Sequence, residues 1–225
     1  MCCGSKDFNA QKILWKELIQ EWQLSAYETQ YIDRQQGLRC RECTSSLRSM
    51  ALALAICRCY GYAGTLERFV NEGRFRHLRV LEVNEAGGLT QFLSKLPGHI
   101  IGCYPKLDMM RMPYSDGSYD LVVHSDTLEH VPQSITGLTE CYRVLAAGGF
   151  CAFTIPVIVD RMTRARTGLP ASYHGDSNER SADLVVQTEY GCDAWKHVTL
   201  AGFQECRIIT PEFPSALAFV GARWS

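Results

Sequence analysis

The chain has 225 residues, of which 46% are hydrophobic and 21% are charged, and its formal net charge is −1. These values are typical of a globular protein with a sizeable core, and they exclude a general attraction to nucleic acid or to an anionic membrane. The longest apolar run, residues 50–57, is too short to span a bilayer. The 11 cysteines, an odd number with no signal peptide before them, predict reduced thiols in a cytoplasmic protein.

The first 70 residues are predicted to form a helical segment in front of a larger domain. Apolar side chains between positions 8 and 23 fit one face of a helix. Such a helix would bury its two tryptophans either against the domain or in a homodimer. The sequence does not choose between these two uses.

A Cys-x-x-Cys pair, Cys40 and Cys43, precedes a second apolar helix that begins near Leu47. Such a pair is half of a zinc site. Cys57 and Cys59 are awkwardly placed to supply the other half, because they lie at the end of that helix. We therefore expect free thiols and no metal ligands here, with structural zinc as the alternative.

Residues 71–225 alternate between strands and helices. From Met112 to Pro156 the order is turn, strand, helix, glycine stop and strand, which is a βαβ unit with parallel strands and a right-handed crossover. A helix near residues 193–202 precedes the last two strands. Six apolar runs predict the strands of this domain: residues 77–83, 98–103, 120–124, 150–154, 205–210 and 216–221.

The block from Met112 to Pro156 resembles the core of class I S-adenosylmethionine-dependent methyltransferases, in particular the methyltransferase type 11 group. Three pieces carry the resemblance in the family's order: residues 113–123, 128–131 and 140–149. It implies an α/β fold with a Rossmann-like, doubly wound sheet, mostly parallel with an antiparallel last strand. Only ten residues run from Tyr104 to Pro113, so we predict that the family's third strand is missing.

The resemblance also implies S-adenosyl-L-methionine as the cofactor, with S-adenosyl-L-homocysteine as the product. Two of the three glycines in the family's turn are replaced here, by Asn84 and Ala86. Cys103 and Tyr104 stand near the position of the acidic residue that holds the ribose in that family. Either Glu82 or a backbone group replaces that acid, or the cofactor binds weakly. Asp108 has the family's spacing for the carboxylate that accepts from the adenine amino group, and a solvated turn residue is the alternative. The predicted cofactor residues are Glu82, Asn84, Ala86, Gly88, Cys103, Tyr104, Asp108, Met109, His124, Ser125 and Thr127.

Methyl transfer to a hydroxyl acceptor needs a base, and imidazole titrates near neutrality. His130 is the first candidate and His174 the second. In the resembled family an insertion such as residues 157–190 forms a lid over a small-molecule acceptor. Within it Tyr173, Arg161 and Arg164 are the predicted substrate residues, since arginines can hold a carboxylate or phosphate; a solvated loop is the alternative.

We expect an enzyme that methylates a small molecule, with natural-product or glycan biosynthesis as the setting that the resemblance suggests. A non-catalytic scaffold protein of the same fold is the first alternative, because the glycine turn is altered and the ribose acid is missing. A nicotinamide-dependent enzyme has less support, because the acidic block after Asp116 has no counterpart there.

Overall fold

The computed structural model describes residues 1–173 and 182–224 of the chain. In chain order, the strands are β1 (Phe8–Ala10), β2 (Leu38–Cys40), β3 (Arg79–Val83), β4 (Gly98–Gly102), β5 (Tyr119–Ser125), β6 (Leu145–Thr154), β7 (Val157–Ile158), β8 (Arg164–Ala165), β9 (Thr188–Gly191), β10 (Glu205–Glu212) and β11 (Ala216–Ala222). The helices are α1 (Lys16–Glu21), α2 (Ala26–Gly37), α3 (Leu47–Cys59), α4 (Leu66–Asn71), α5 (Thr90–Leu93), α6 (Ser134–Val144) and α7 (Trp195–Leu200). Within these described ranges, no helix has the length and apolar character needed to cross a bilayer.

A six-stranded sheet forms the centre of the fold, in the order β10-β11-β6-β5-β3-β4. The four strands β3 to β6 are parallel. Strand β11 runs antiparallel to β6, and β10 pairs antiparallel with β11. In the described part of the chain, no strand lies between Gly102 and Tyr119. The predicted fold class is therefore confirmed, including the missing third strand.

Both faces of the sheet are covered, because successive side chains of a strand point to opposite faces. Leu121 and Val123 of β5 lie in a core with apolar residues of α3, α4 and α5. Val122 and, on β6, Phe153 lie in a second core with residues of α6 and α7. The carboxyl ends of the parallel strands are thereby held in fixed positions between two packed layers.

The predicted helix over residues 8–23 is wrong in its first half, since the structure has only the short α1 there. Asp33 gives the physical reason: its Oδ1 accepts hydrogen bonds from the backbone N–H groups of Ile13 and Leu14, both at 2.8 Å. Strand β1 also pairs antiparallel with β2. Helix α3 packs across β6, β10 and β11. The domain boundary near residue 70 and the homodimer stay predictions.

Candidate functional site

A crevice of about 740 Å³ lies beyond the carboxyl ends of β3, β4 and β5. Ligands of open parallel sheets normally bind at this edge. The residues that line the crevice belong to four segments: 83–87, 104–110, 125–132 and 183–187. The last segment belongs to the predicted insertion, so described residues of the insertion form part of the rim.

Six of the eleven predicted cofactor residues line this crevice: Asn84, Tyr104, Asp108, Met109, Ser125 and Thr127. They come from three different strand ends, and the fold brings them together as the sequence predicted. The other five are not among the lining residues: Glu82, Ala86, Gly88, Cys103 and His124.

Asn84 connects the ends of three strands. Its backbone N–H donates to the carbonyl of Gly102 at 2.8 Å. Its Oδ1 accepts from the N–H of Tyr104 at 3.0 Å, and its Nδ2 donates to Thr127 Oγ1 at 3.3 Å. The backbone is left-handed, with φ +57°. Asparagine tolerates that conformation better than most residues, which explains how it can replace a glycine of the turn.

Glu82 is fully buried and forms hydrogen bonds to the turn that follows β3. Its Oε1 accepts from the N–H of Ala86 at 2.7 Å and from Thr90 Oγ1 at 2.5 Å. Its Oε2 lies 2.6 Å from His99 Nε2. Both carboxylate oxygens are engaged in these contacts, and the side chain is buried. Glu82 therefore does not replace the ribose acid in this structure.

Glu85 is an exposed carboxylate in the wall of the crevice. The sequence did not predict Glu85, because only its neighbours Asn84 and Ala86 stand where the resembled family has glycine. The signal that could have identified Glu85 is its position in the same turn, directly after Asn84. Cys103, at the end of β4, is exposed but does not line the crevice, whereas Tyr104 does.

Gly88 is needed for a contact with the N-terminal segment and not for close approach to the crevice. A Cβ at this position would lie 2.8 Å from Ser45 Oγ and 3.0 Å from Ser45 Cα. Gly87 does line the crevice and has a left-handed backbone with φ +58°. Ala86 is fully buried beneath the turn.

Asp108 both lines the crevice and stabilises its own turn. Its Oδ1 accepts from the N–H of Met110 at 2.8 Å. The predicted role of an adenine acceptor and the alternative of a turn residue are therefore compatible with each other at this position.

His124 is a core residue. It is fully buried, and its ring stacks on Phe153 with the centroids 4.6 Å apart. The alternation along β5 explains this, since His124 shares the α6 face of the sheet with Val122. Burial lowers the pKa of His124 to about 3, so its ring is neutral in the ordinary pH range.

His130 ends a single turn of 3₁₀ helix, Leu128–His130, and lines the crevice. Its Nδ1 lies 3.2 Å from the carbonyl oxygen of Val185. A carbonyl can only accept, so this contact assigns the ring proton to Nδ1. Burial is the largest effect on the pKa of His130 and lowers it. The ring is therefore neutral near pH 7, and Nε2 is the ring nitrogen that carries the accepting lone pair.

Three charged side chains meet behind the crevice wall. Arg48 of α3 is buried and forms an ion pair with Asp126, which lines the crevice. Burial lowers the pKa of Arg48 to about 10, against the opposing effect of Glu129. Burial also raises the pKa of Glu129 to about 7, against the effect of Arg48. The sequence did not predict Arg48 as part of the site, because the apolar stripe of its helix indicated only a packing role.

The predicted substrate residues do not converge on His130. Arg161 and Arg164 line a separate cavity of about 250 Å³. Arg161 Nε donates to Glu28 Oε1 at 2.7 Å, and Arg164 Nε donates to Glu189 Oε2 at 2.5 Å. These carboxylates neutralise both guanidinium groups, which weakens the case for an anionic acceptor there. Tyr173 forms an isolated β-bridge with Val185, and His174 lies outside the described residues.

Residues 89–153 match a family whose description is "Methyltransferase domain", Methyltransf_11. The matched segment contains β4, β5, α6 and most of β6. It confirms the resemblance inferred from the block between Met112 and Pro156. Among curated proteins, none matches this chain.

Several solved structures have a similar fold. The CurJ carbon methyltransferase is 13% identical, with a TM-score of 0.45, over 93% of this chain and 70% of CurJ. The S-adenosylmethionine-dependent methyltransferase SibL in its apo form is 14% identical, with a TM-score of 0.42, over 70% of this chain and 54% of SibL. PigF with SAH is 18% identical, with a TM-score of 0.37, over 68% of this chain and 53% of PigF. This chain thus spans about half the length of SibL and PigF, and at these values the likeness carries no conclusion about its activity.

Proposed function

We propose that this chain, whose residues 89–153 match the methyltransferase domain family, transfers a methyl group from S-adenosyl-L-methionine to a small-molecule acceptor. The observation that carries the proposal is the crevice of about 740 Å³ at the ends of β3, β4 and β5. It lies where a ligand of this fold class binds, and six predicted cofactor residues line it.

The residues around the crevice fit the groups of an adenosyl cofactor. The carboxylate of Asp108 can accept from the adenine amino group, and Met109 offers an apolar surface beside it. Glu85 is our candidate for the ribose, because a carboxylate can accept hydrogen bonds from both hydroxyl groups and the usual acid is absent. Asn84 and Thr127 offer amide and hydroxyl groups for the polar methionine part. When bound, S-adenosylmethionine supplies an electrophilic methyl group on its sulfonium.

His130 is our candidate for the base. Its ring lies in the crevice wall, and its lowered pKa keeps it neutral near pH 7. The contact with Val185 holds the ring orientation and places the accepting lone pair on Nε2. An acceptor hydroxyl or amine beside His130 can therefore lose its proton to the imidazole as the methyl group is transferred. Asp183 and Gln187 line the same crevice, in the segment that contacts His130, and are our candidates to contact that acceptor. A natural-product or glycan precursor is the acceptor that the sequence resemblance favours.

Isothermal titration calorimetry with S-adenosylmethionine and S-adenosylhomocysteine tests this function. We expect micromolar binding of both to the full chain. Glu85→Gln and Asp108→Asn should each weaken binding by about tenfold, which corresponds to the loss of about 1.4 kcal/mol. Glu17→Gln changes an exposed glutamate of α1 and should leave the affinity unchanged.

An absence of heat and of any thermal shift with both ligands would contradict the proposal. The scaffold interpretation would then be favoured, since it predicts a folded chain with a crevice that does not bind the cofactor. Equal affinity for wild type, Glu85→Gln and Asp108→Asn would show that the cofactor binds elsewhere.

A further inference from the structure

Three thiols converge beside the two-stranded sheet of β1 and β2. Cys3 precedes β1, Cys40 ends β2, and Cys43 lies in the turn that follows. Their sulfur atoms all lie within 4.8 Å of one another, and those of Cys3 and Cys40 are 3.6 Å apart. Two thiolates bound to one tetrahedral Zn²⁺ at about 2.3 Å each have sulfurs about 3.8 Å apart. The cluster is therefore close to the size that a zinc ion requires.

Backbone N–H groups point at two of these sulfurs. The N–H of Ser5 donates to Cys3 Sγ at 3.5 Å. The N–H groups of Cys43 and Glu42 act as backbone donors towards Cys40 Sγ. Such N–H donors stabilise a thiolate, which is the form that binds metal. Backbone donors are therefore directed at the sulfur atoms of Cys3 and Cys40.

The turn that follows Cys40 is tightly closed. The carbonyl of Cys40 accepts from the N–H of Thr44, and the N–H of Cys40 donates to the carbonyl of Ser45, both at 3.0 Å. Thr44 has a left-handed backbone with φ +59°, and so does Gly4, with φ +96°, directly after Cys3. A sharp backbone turn therefore directly follows both Cys3 and Cys43.

We propose that Cys3, Cys40 and Cys43 bind one Zn²⁺ through three thiolates, with the carboxylate of Glu42 as the fourth ligand. Glu42 Oε2 lies 4.0 Å from Cys3 Sγ, and the side chain is exposed, so it can move to complete a tetrahedron. Cys2 is less suitable, because its thiol is buried and donates to the carbonyl of Ser49 at 3.9 Å.

This site differs from the zinc alternative considered from the sequence, in which Cys57 and Cys59 would complete the pair. Those two residues lie at the end of α3 and do not belong to the cluster. The third thiol comes instead from Cys3, 37 residues before Cys40. No spacing rule predicts that partner, because the antiparallel pairing of β1 with β2 brings it close.

Zinc bound at this site would stabilise the turn after β3. The carbonyl of Cys43 accepts from Gln91 Nε2 at 2.9 Å. Ser45 packs so closely on Gly88 that a Cβ there would meet its Oγ at 2.8 Å. A metal that fixes the Cys40–Cys43 turn would therefore hold the wall of the crevice from behind. Zinc binding does not depend on the proposed methyl transfer, and it can be tested separately.

Metal analysis of the purified full chain tests the proposal. We expect about one zinc per chain in the wild type. Cys3→Ser, Cys40→Ser and Cys43→Ser should each lose most of the metal, whereas Cys192→Ser, an exposed cysteine far from the cluster in sequence, should keep it. A metal-free wild type that binds neither added Zn²⁺ nor added Co²⁺ would overturn the proposal, and so would serine variants that retain full zinc.

Cobalt spectroscopy keeps the test valid if a serine variant fails to fold. Co²⁺ added to the metal-stripped wild type should give thiolate-to-cobalt charge-transfer bands and the visible bands of a tetrahedral site. Glu42→Gln should keep the charge-transfer bands but shift the visible bands and lower the affinity; an unchanged spectrum and affinity would reject Glu42 as the ligand. Calorimetry with S-adenosylhomocysteine distinguishes the two proposals, since a protein that binds zinc but no cofactor refutes the methyltransferase function alone.

Discussion

Arg48, in the first turn of α3, forms an ion pair with Asp126 in the loop after β5. The side chain of Arg48 is 2% exposed and that of Asp126 is 40% exposed, so the pair connects the protein interior to the crevice wall. Arg48 also donates to Gln35 Oε1. The N-terminal segment therefore sets part of the electrostatic environment of the crevice, although it precedes the strands that form it.

Replacing Arg48 by methionine should destabilise the protein by about 1–3 kcal/mol. The variant leaves the buried Gln35 Oε1 without its hydrogen-bond donor and removes the ion-pair partner of Asp126. Urea unfolding at pH 7 measures the change. Arg34→Met is a matched control, because Arg34 pairs with Glu212 at the surface and should contribute less than about 1 kcal/mol. Equal losses in both variants would contradict the buried role of Arg48.

Glu129→Gln should change how stability depends on pH. Burial raises the pKa of Glu129 to about 7, whereas an unfolded glutamate titrates near about 4.3. Between these pH values the native state keeps a proton that the unfolded state has released, so stability falls as pH rises. We expect the wild type to lose about 1–3 kcal/mol more than the variant between pH 4.5 and pH 8. Parallel stability curves from guanidinium unfolding would show that Glu129 does not titrate in this range.

The strands of the sheet were predictable because each apolar run carries its own signal, and the strand ends place Asn84, Asp108 and Thr127 at one edge. The failures have a common cause, which is a partner distant in sequence. Asp33 captures two N–H groups and ends the predicted first helix. Glu28 forms an ion pair with Arg161, which lies 133 residues later in the chain. No local sequence pattern predicts such partners, because they depend on how the N-terminal segment packs on the folded sheet.

Asn84→Ala and Asn84→Gly form a matched pair. Both lose the hydrogen bonds to Tyr104 and Thr127, so both should weaken S-adenosylhomocysteine binding. Alanine is strained at φ +57° and glycine is not, so Asn84→Ala should be less stable than Asn84→Gly by about 1 kcal/mol. Urea unfolding and calorimetry measure the two effects. Equal stability of the variants would mean that the left-handed backbone is not maintained in solution.

His130→Gln should lower methyl transfer by about 10²–10⁴-fold while the protein still binds S-adenosylhomocysteine. Formation of S-adenosylhomocysteine from S-adenosylmethionine, in the presence of a small-molecule extract, measures turnover. The base must be neutral to accept a proton, so wild-type activity should fall as pH drops through the pKa of His130. Burial lowers that pKa below its usual value of about 6.5. His77→Gln, at an exposed histidine before β3, is the control, and an equal loss in it would remove His130 from the proposed role.

Glu28→Gln should weaken the attachment of α2 to the insertion. Arg161 donates to both carboxylate oxygens of Glu28, at 2.7 and 3.0 Å, and chiefly this contact lowers the pKa of Glu28 to about 2. The stabilisation is complete above about pH 4.5 and is lost as pH falls towards 2, because the unfolded state takes up the proton first. We expect the variant to be less stable by about 1–3 kcal/mol at pH 7, with the difference shrinking on acidification. Glu17→Gln, an exposed change in α1, should show neither effect, and a difference between wild type and Glu28→Gln that stays constant down to pH 3 would contradict the ion pair.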